Sequence, residues 1–316
     1  MAEIQKTPFV KDLASSDRKV RDKAVESLTL FLGSRTDLSV LDLLKLWKGL
    51  FFCFYHSDRP LTQQALARAL SYHLVTSLPH ATLHRFLRAF WITIGRDYHS
   101  IDRLRLDKYL FLIRCYVGVA FQIFVKEKKS SKKGDDKKRK REDAGKKGRG
   151  KKQKKQEESE PAQEEEEATD EDGKWADLSA YISLIEEGPL HPVNFDPDQD
   201  SDDEESDFVA MPHGPDGLRY HIVDIWVDEL EKVLEFEDGE IAEDGVANRK
   251  IKGDIPMELI LRPLEKLRTE SPYKPVRTRA TEALEDDRLV EWGIRAPKVN
   301  EDDEVDSDGE WGGFDE

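Results

Sequence analysis

The sequence YHSDRPL at residues 55–61 is echoed by YHSIDRLRL at residues 98–106, about 43 residues further along the chain. Each copy follows an aromatic-rich segment and precedes a leucine-rich one. A cluster that recurs at a fixed interval is typical of a repeated turn between helices. A hydrolase would need one nucleophile, one base and one orienting group converging on a single point. The echo therefore indicates a helical repeat and not a catalytic site.

Apolar residues around the echoes recur at three- and four-residue spacing, which predicts five amphipathic helices between residues 16 and 125. Similar patterns predict further helices at 175–188, at 218–236, at 256–267 with an interruption at Pro263, and at 279–292. No strand is needed. We expect an all-α fold, an antiparallel HEAT-like helical-repeat stack with long disordered charged insertions, because short connections place successive helices antiparallel.

The third of the five helices is expected to contain Leu61, Ala65, Ala69 and His73 and to end before Pro79. In both turns, the Ser and Asp side chains are expected to cap the next helix by accepting hydrogen bonds from its free N–H groups. Pro60 suits the first turn of a helix, where its missing N–H costs nothing.

Four cations lie in or beside the turns: Arg59, Arg103, Arg105 and Lys108. They are candidates either for contact with RNA phosphate or for ion pairs with neighbouring carboxylates. Ion pairing is the favoured interpretation, because Asp102 and Asp107 lie within one helical turn of the cations in the second echo.

The chain divides into four predicted segments. They are a helical-repeat domain at 1–125, a disordered linker, basic and then acidic, at 126–174, further helices on the same stack at 175–292 with an acidic loop at 196–207, and an acidic tail at 293–316. The net charge of -16 conceals roughly +7 in 1–125, +12 in 126–155 and −35 in 156–316. The basic residues 1–155 can bind polyanions, whereas the acidic residues 156–316 would repel them.

The basic tract has the density of a nuclear import signal and of a flexible arm that neutralises phosphate. Its candidate residues are Lys137, Lys138, Arg139, Lys140, Arg141, Lys146 and Lys147. A solvated linker is the alternative. Acidic residues follow Thr169, Ser201 and Ser307, which makes these three residues candidates for phosphorylation by an acidophilic kinase.

Other chemistry is not expected. Cys53 and Cys115 are the only cysteines, and each lies in an apolar pattern, which argues against disulfides and zinc. His80 and His84 would share a helix face, but the spacing suggests no further metal ligand. The apolar segment 109–125 is short for a membrane span and is expected to be a buried helix. We expect no catalytic residue, no cofactor, no metal, no small-molecule substrate and no membrane contact.

Three long motifs resemble one known family. They are WKGLFFCFYHSDRPL at 47–61, FWITIGRDYHSIDRLRLDKYLFLIR at 90–114 and GLRYHIVDIWVDELEKV at 217–233. They closely resemble the nucleolar ribosomal RNA processing protein 1 family over most of 8–125 and again around 217–267. The family usually has Trp at the position of Tyr98 and Phe at that of Tyr109, and both differences keep an aromatic ring.

The resemblance implies a non-enzymatic assembly factor of the large ribosomal subunit in the nucleus and nucleolus. Such a factor is needed for processing of precursor rRNA inside a preribosomal particle. The implied partners are the precursor rRNA of the large subunit, other large-subunit assembly factors and ribosomal proteins. The alternative is an acidic chaperone for basic clients such as ribosomal proteins or histones, in which the acidic rear half shields the client.

Overall fold

The computed structural model describes Asp12, Leu13, Ser15 and residues 17–126, 173–194, 209–237 and 249–296. The α-helices in these residues are α1 Arg18–Gly33, α2 Val40–Tyr55, α3 Pro60–Arg68, α4 His80–Asp97, α5 Arg103–Phe121, α6 Ala176–Glu187, α7 Asp216–Glu231, α8 Met257–Glu270, α9 Lys274–Leu284 and α10 Asp287–Glu291. Helix α3 continues into a π-helical turn at Ala69–His73, and α5 into another at Gln122–Lys126. The charged insertions lie outside the described residues.

Helix starts follow local capping chemistry. The Asp17 carboxylate accepts from the backbone N–H of Lys19 at the start of α1, and the Ser39 hydroxyl accepts from that of Asp42 at the start of α2. Asp102 accepts from the backbone N–H of Arg105 at the start of α5. A side-chain oxygen at this position satisfies one of the first N–H groups, which have no partner inside the helix.

The helices form two layers. Helices α2, α4, α6 and α8 are successive neighbours in one layer, and α3, α5, α7 and α9 are successive neighbours in the other. The hairpins α2–α3, α4–α5, α6–α7 and α8–α9 are called repeats 1 to 4 below. In the described residues there is no strand, and one isolated antiparallel bridge joins Phe236 to Ile251. The expected all-α, HEAT-like stack is confirmed.

The core runs through the stack without a break, and aromatic rings join its two layers. The Trp47 ring on α2 lies 5.0 Å from that of Phe90 on α4 and 5.4 Å from that of Tyr116 on α5. The rings of Phe90 and Tyr116 stack with centroids 3.7 Å apart. The interval of about 43 residues between the echoes is therefore the length of one packed hairpin.

Helix α5 lies between neighbours on three sides, because it contacts α3 and α7 in its own layer and packs against α2 and α4 in the other. By length and composition, Arg103–Lys126 could cross a membrane, yet 72% of its apolar window is buried in the fold. An all-round apolar helix covered by protein is a core helix. The expectation of a buried helix at 109–125 is confirmed.

The predicted third helix is α3 with its π-helical turn, which together contain Leu61, Ala65, Ala69 and His73. Leu61, Ala65 and His73 are exposed, and the buried stripe is Leu66, Leu70 and Leu74. Both sets have helical spacing, so the sequence pattern alone does not select between them. The leucine stripe faces inward because three large side chains bury more apolar area than one leucine among alanines and a histidine.

Several predicted helix boundaries after residue 217 are wrong. The helix expected at 279–292 is two helices, since α9 begins at Lys274 with Pro275 in its first turn, and α10 begins after Asp286. The Asp286 carboxylate accepts from the backbone N–H of Arg288 and so caps a new start. Helix α8 is not interrupted but runs through Pro263 to Glu270. Helix α7 ends at Glu231 and not at Phe236.

Candidate interaction surface at the interhelical turns

Both echoes lie at the same end of the stack, where α2 and α4 finish and α3 and α5 begin. We call the surface formed by residues 56–62 and 98–105 the turn edge. The two turns are in direct contact, since the phenol of Tyr55 donates to the Asp102 carboxylate over 3.1 Å. Repetition of the hairpin therefore brings the two copies of the motif side by side.

The first turn does not cap its helix in the way the sequence suggests. Arg59 occupies the cap position of α3 and makes no side-chain cap hydrogen bond. Ser57 is buried, and its hydroxyl donates to the carbonyl of Cys53 over 3.1 Å. Ser57 and Asp58 precede the cap position, so their side chains bond elsewhere. In the second turn Asp102 does cap α5 as expected.

Asp58 joins the first turn to α5. Its carboxylate accepts 2.9 Å hydrogen bonds from the Arg105 guanidinium and from the Lys108 ammonium. Arg105 also donates to Asp102 over 2.7 Å, which makes it a bridge between the carboxylates of the two turns. The Arg105 guanidinium lies 4.3 Å from the centroid of the Tyr55 ring, in cation–π contact. The turn edge is thus held in one arrangement by charge-assisted bonds.

Lys108 is the most buried member of this network, with a side chain only 3% exposed. Its ammonium also donates to the carbonyls of Tyr55 and Ser57, over 2.8 and 3.1 Å. Three acceptors match its three N–H groups. Burial lowers the pKa of Lys108, and the hydrogen bond to Asp58 opposes that shift. Hydrogen bonds from Arg105 hold the pKa values of Asp58 and Asp102 below their ordinary range.

The other two candidate cations face solvent. Arg59 and Arg103 are exposed, and neither forms an ion pair within the part of the chain that the structure describes. Beside them, Leu61 and Leu104 are 83% and 94% exposed. Equivalent turns of two adjacent repeats therefore each present one cation and one leucine. The structure divides the four candidates into an inner pair, Arg105 and Lys108, and an outer pair, Arg59 and Arg103.

A polar pocket of about 370 Å³ opens on the side of the turn edge nearest α1. It is lined by Arg18, Arg21, His56, Ser57, Asp58, Arg59 and Thr62. Arg21 is buried and donates to the carbonyl of Ser15 over 2.8 Å, which fixes its position. The lining has three guanidinium groups and one carboxylate, and Arg18 also pairs with Asp22 beside the pocket.

Repeat 3 contains a related Asp–Arg pair, which the sequence patterns above did not predict. In α7, Asp216 and Arg219 have the spacing of Asp102 and Arg105, and Arg219 donates to Asp216 over 2.7 Å. Arg219 is fully buried and also donates to the amide oxygen of Asn194 over 2.6 Å. Burial lowers its pKa, and Asp216 opposes that shift. The signal was present in the sequence, since DGLR at 216–219 matches DRLR at 102–105.

Several predicted residues lie outside the described residues. They are the basic residues Lys137, Lys138, Arg139, Lys140, Arg141, Lys146 and Lys147 and the phosphorylation candidates Thr169, Ser201 and Ser307. His80 and His84 are described, and their rings lie 3.1 and 3.5 Å from the Asp177 carboxylate. Within the described ranges, no group of three or more His, Cys, Asp or Glu side chains could hold a metal ion.

Both cysteines are buried and free. Burial raises the pKa of Cys53 to about 12 and that of Cys115 to about 11. A thiol acts as a nucleophile only when it is deprotonated, so neither residue is an activated nucleophile.

Comparison with known proteins identifies related chains. Ribosomal RNA processing protein 1 homolog B from Homo sapiens is 40% identical over 127 residues, 39% of this chain and 16% of that protein. The Mus musculus homolog B is 43% identical over 122 residues, 36% and 17% of the two chains. The Homo sapiens homolog A is 37% identical over 116 residues, 35% and 25%. The matched part thus covers a quarter or less of each relative.

A family model matches most of the chain. Residues 4–135 and 204–312 match the family described as Nucleolar protein, Nop52. These ranges contain the turn edge, the pair Asp216 and Arg219, and helices α1 to α5 and α7 to α10. The family description agrees with the nuclear and nucleolar localisation expected from the sequence, and the relatives' names agree with the suspected rRNA processing family. The chain belongs to the Nop52 family of nucleolar proteins.

Proposed function

We propose that this protein acts in rRNA processing and ribosome biogenesis, as a non-catalytic scaffold in assembly of the large ribosomal subunit. Membership of a nucleolar family and the names of the relatives support the rRNA processing role. The assignment to the large subunit follows the sequence resemblance. The proposed partners are the precursor rRNA of that subunit, other assembly factors and ribosomal proteins.

The observation that carries the scaffold role is the turn edge. Two cations and two leucines are exposed in equivalent turns, and the bonds of Asp58 to Arg105 and Lys108 hold these turns together. A surface that is already ordered loses little conformational entropy when a partner binds. Exposed leucines favour protein contacts, and exposed arginines favour acidic side chains or RNA phosphate.

The proposed domain organisation is one stack built from both halves of the chain. Arg88 on α4 forms a bidentate pair with Glu187 on α6, over 2.6 and 2.7 Å. Arg114 on α5 donates to Asp228 over 2.6 Å and to the adjacent Glu229 on α7. These ion pairs join helices before residue 126 to helices after residue 174, which supports one rigid stack. The basic residues of the segment 126–174 are proposed to direct nuclear import or to contact phosphate without sequence preference.

The test is affinity purification of the full chain from cells, with half of each sample treated with RNase. The scaffold proposal predicts large-subunit precursor rRNA in the untreated half. It also predicts assembly factors that remain bound after RNase treatment, because their contacts would be with protein. Recovery of free histones or single ribosomal proteins without precursor rRNA would instead support the acidic chaperone and contradict the proposal.

A further inference from the structure

An open groove lies on α2 and the end of α4, on the outer surface of repeats 1 and 2. Its volume is about 610 Å³. The lining residues are Leu41, Leu44, Lys45, Lys48, Phe51, Phe52, Tyr55, Arg96, Asp97 and Ser100. The floor is aliphatic and aromatic. Three cations line the groove, of which Lys45 pairs with Asp42 and Arg96 with Asp97.

Two of the apolar residues are exposed for no reason that the fold supplies. Leu41 and Phe52 are 47% and 42% exposed, although Phe52 lies between the buried residues Phe51 and Cys53 on α2. An exposed apolar patch with a charged rim is typical of a binding site. Lys48 is exposed and forms no ion pair with any residue that the structure describes. An acidic segment with aromatic side chains would match this groove.

We propose that residues 301–316 of the same chain bind in this groove. Their sequence, EDDEVDSDGEWGGFDE, combines nine carboxylates with two aromatic side chains, Trp311 and Phe314, and contains no Lys or Arg. In this arrangement the two rings pack against Phe52 and Leu41, and the carboxylates face Lys45, Lys48 and Arg96. Of the acidic runs in the sequence, 157–171 contains no aromatic residue.

The length of the chain permits this contact. The described residues end at Ala296, beside α8, where Arg295 pairs with Glu265. Two to three helix spacings of about 10 Å separate repeat 4 from the groove, or roughly 20–30 Å. The fifteen peptide units from Ala296 to Trp311 span up to about 50 Å when extended. A tether of that length keeps the segment at a high local concentration near the groove.

The test uses the full chain with the photo-crosslinker p-benzoyl-phenylalanine in place of Phe314. After irradiation, crosslinked peptides are identified by mass spectrometry, and monomers are separated from dimers beforehand. We expect crosslinks to residues 41–55 and 96–100 within monomers. Lys48→Glu should lower their yield about threefold or more at low salt, because it replaces an attraction with a repulsion. Phe52→Ser should lower it similarly.

Matched controls separate groove binding from a general charge effect. Lys23→Glu and Leu30→Ser change exposed residues of the same kinds on α1, outside the groove, and should leave the yield unchanged. The proposal is overturned if crosslinks are spread over other helices, or if Lys48→Glu and Lys23→Glu have equal effects. Crosslinks to the groove found only in dimers would assign the groove to a second copy and would also overturn it.

Discussion

The Asp58 carboxylate, in the turn of repeat 1, accepts a 2.9 Å hydrogen bond from the Lys108 ammonium on α5 of repeat 2. Fifty residues separate the two positions in sequence. The bond is possible because stacking of the hairpins places the end of α2 beside the start of α5. This polar contact therefore fixes the position of repeat 2 relative to repeat 1.

Asp58→Ala is expected to lower the free energy of unfolding by about 1–2 kcal/mol, less than for a fully buried pair because Asp58 is itself partly exposed. The loss arises because the buried Lys108 ammonium keeps only its two carbonyl acceptors. Urea denaturation of the full chain measures the change. The matched control is Asp107→Ala, which changes an exposed carboxylate on α5, the helix that carries Lys108. It should change stability by less than about 0.5 kcal/mol. Equal effects would contradict this role of Asp58.

The same carboxylate predicts a pH dependence. Hydrogen bonds from Arg105 and Lys108 lower the pKa of Asp58 from its ordinary value of 3.8. Between the lowered pKa and 3.8 the unfolded chain binds more protons than the folded chain does. The stabilisation is therefore complete above that window and is lost as the pH falls through it.

We expect the free energy of unfolding to fall less steeply in Asp58→Asn than in the natural chain between about pH 4 and pH 2. Urea midpoints measured at closely spaced pH values across that window test the difference. Parallel curves for the two proteins would show that the folded state does not shift the titration of Asp58.

A second pair joins repeats 2 and 3. The Glu229 side chain is 2% exposed and accepts from Arg114 and, over 2.6 Å, from Lys232. Arg114→Met should cost about 2–3 kcal/mol, because it leaves a buried carboxylate with a single partner. Arg114→Met combined with Glu229→Gln should cost less than the sum of the single changes. Additive costs in this double-mutant cycle would show that the two residues are not coupled.

Close packing at the same contact gives a steric prediction. A Cβ atom added at Gly118 would lie 2.5 Å from the Tyr72 hydroxyl and 2.8 Å from a Glu229 carboxylate oxygen. Gly118→Ala should therefore destabilise the protein by about 1–2 kcal/mol, despite the better helix propensity of alanine. Gly173→Ala, where nothing lies within 4 Å, should be neutral or slightly stabilising. Thermal unfolding of both variants makes the comparison.

The sequence was sufficient for features that depend on neighbouring residues. The start of α5 at Asp102 and the helical repeat required only capping chemistry and the interval between the echoes. Features that depend on distant residues were not accessible in this way. The exposure of Leu61 depends on which face of α3 is covered by α5. The partners of Asp58 lie on another hairpin. The pair Asp216 and Arg219 was recognisable in principle, because its DGLR repeats the spacing of DRLR.

The turn edge gives the prediction closest to function. Leu61 and Leu104 are almost fully exposed and Arg59 and Arg103 are unpaired among the described residues, so the fold does not depend on these side chains. Replacing the four with Arg59→Glu, Leu61→Ser, Arg103→Glu and Leu104→Ser should leave the melting temperature nearly unchanged. Loss of partner binding in such a variant would then reflect the surface and not unfolding.

The most direct measurement is sedimentation of the tagged full chain from cell extracts on a sucrose gradient, with the natural sequence and the four-residue variant compared. We expect the natural chain to sediment with particles that contain large-subunit precursor rRNA. The variant, equally stable, should remain near the top of the gradient. Sedimentation of the variant with the particles, or of the natural chain at the top, would contradict the proposal that this protein is a scaffold acting through its turn edge.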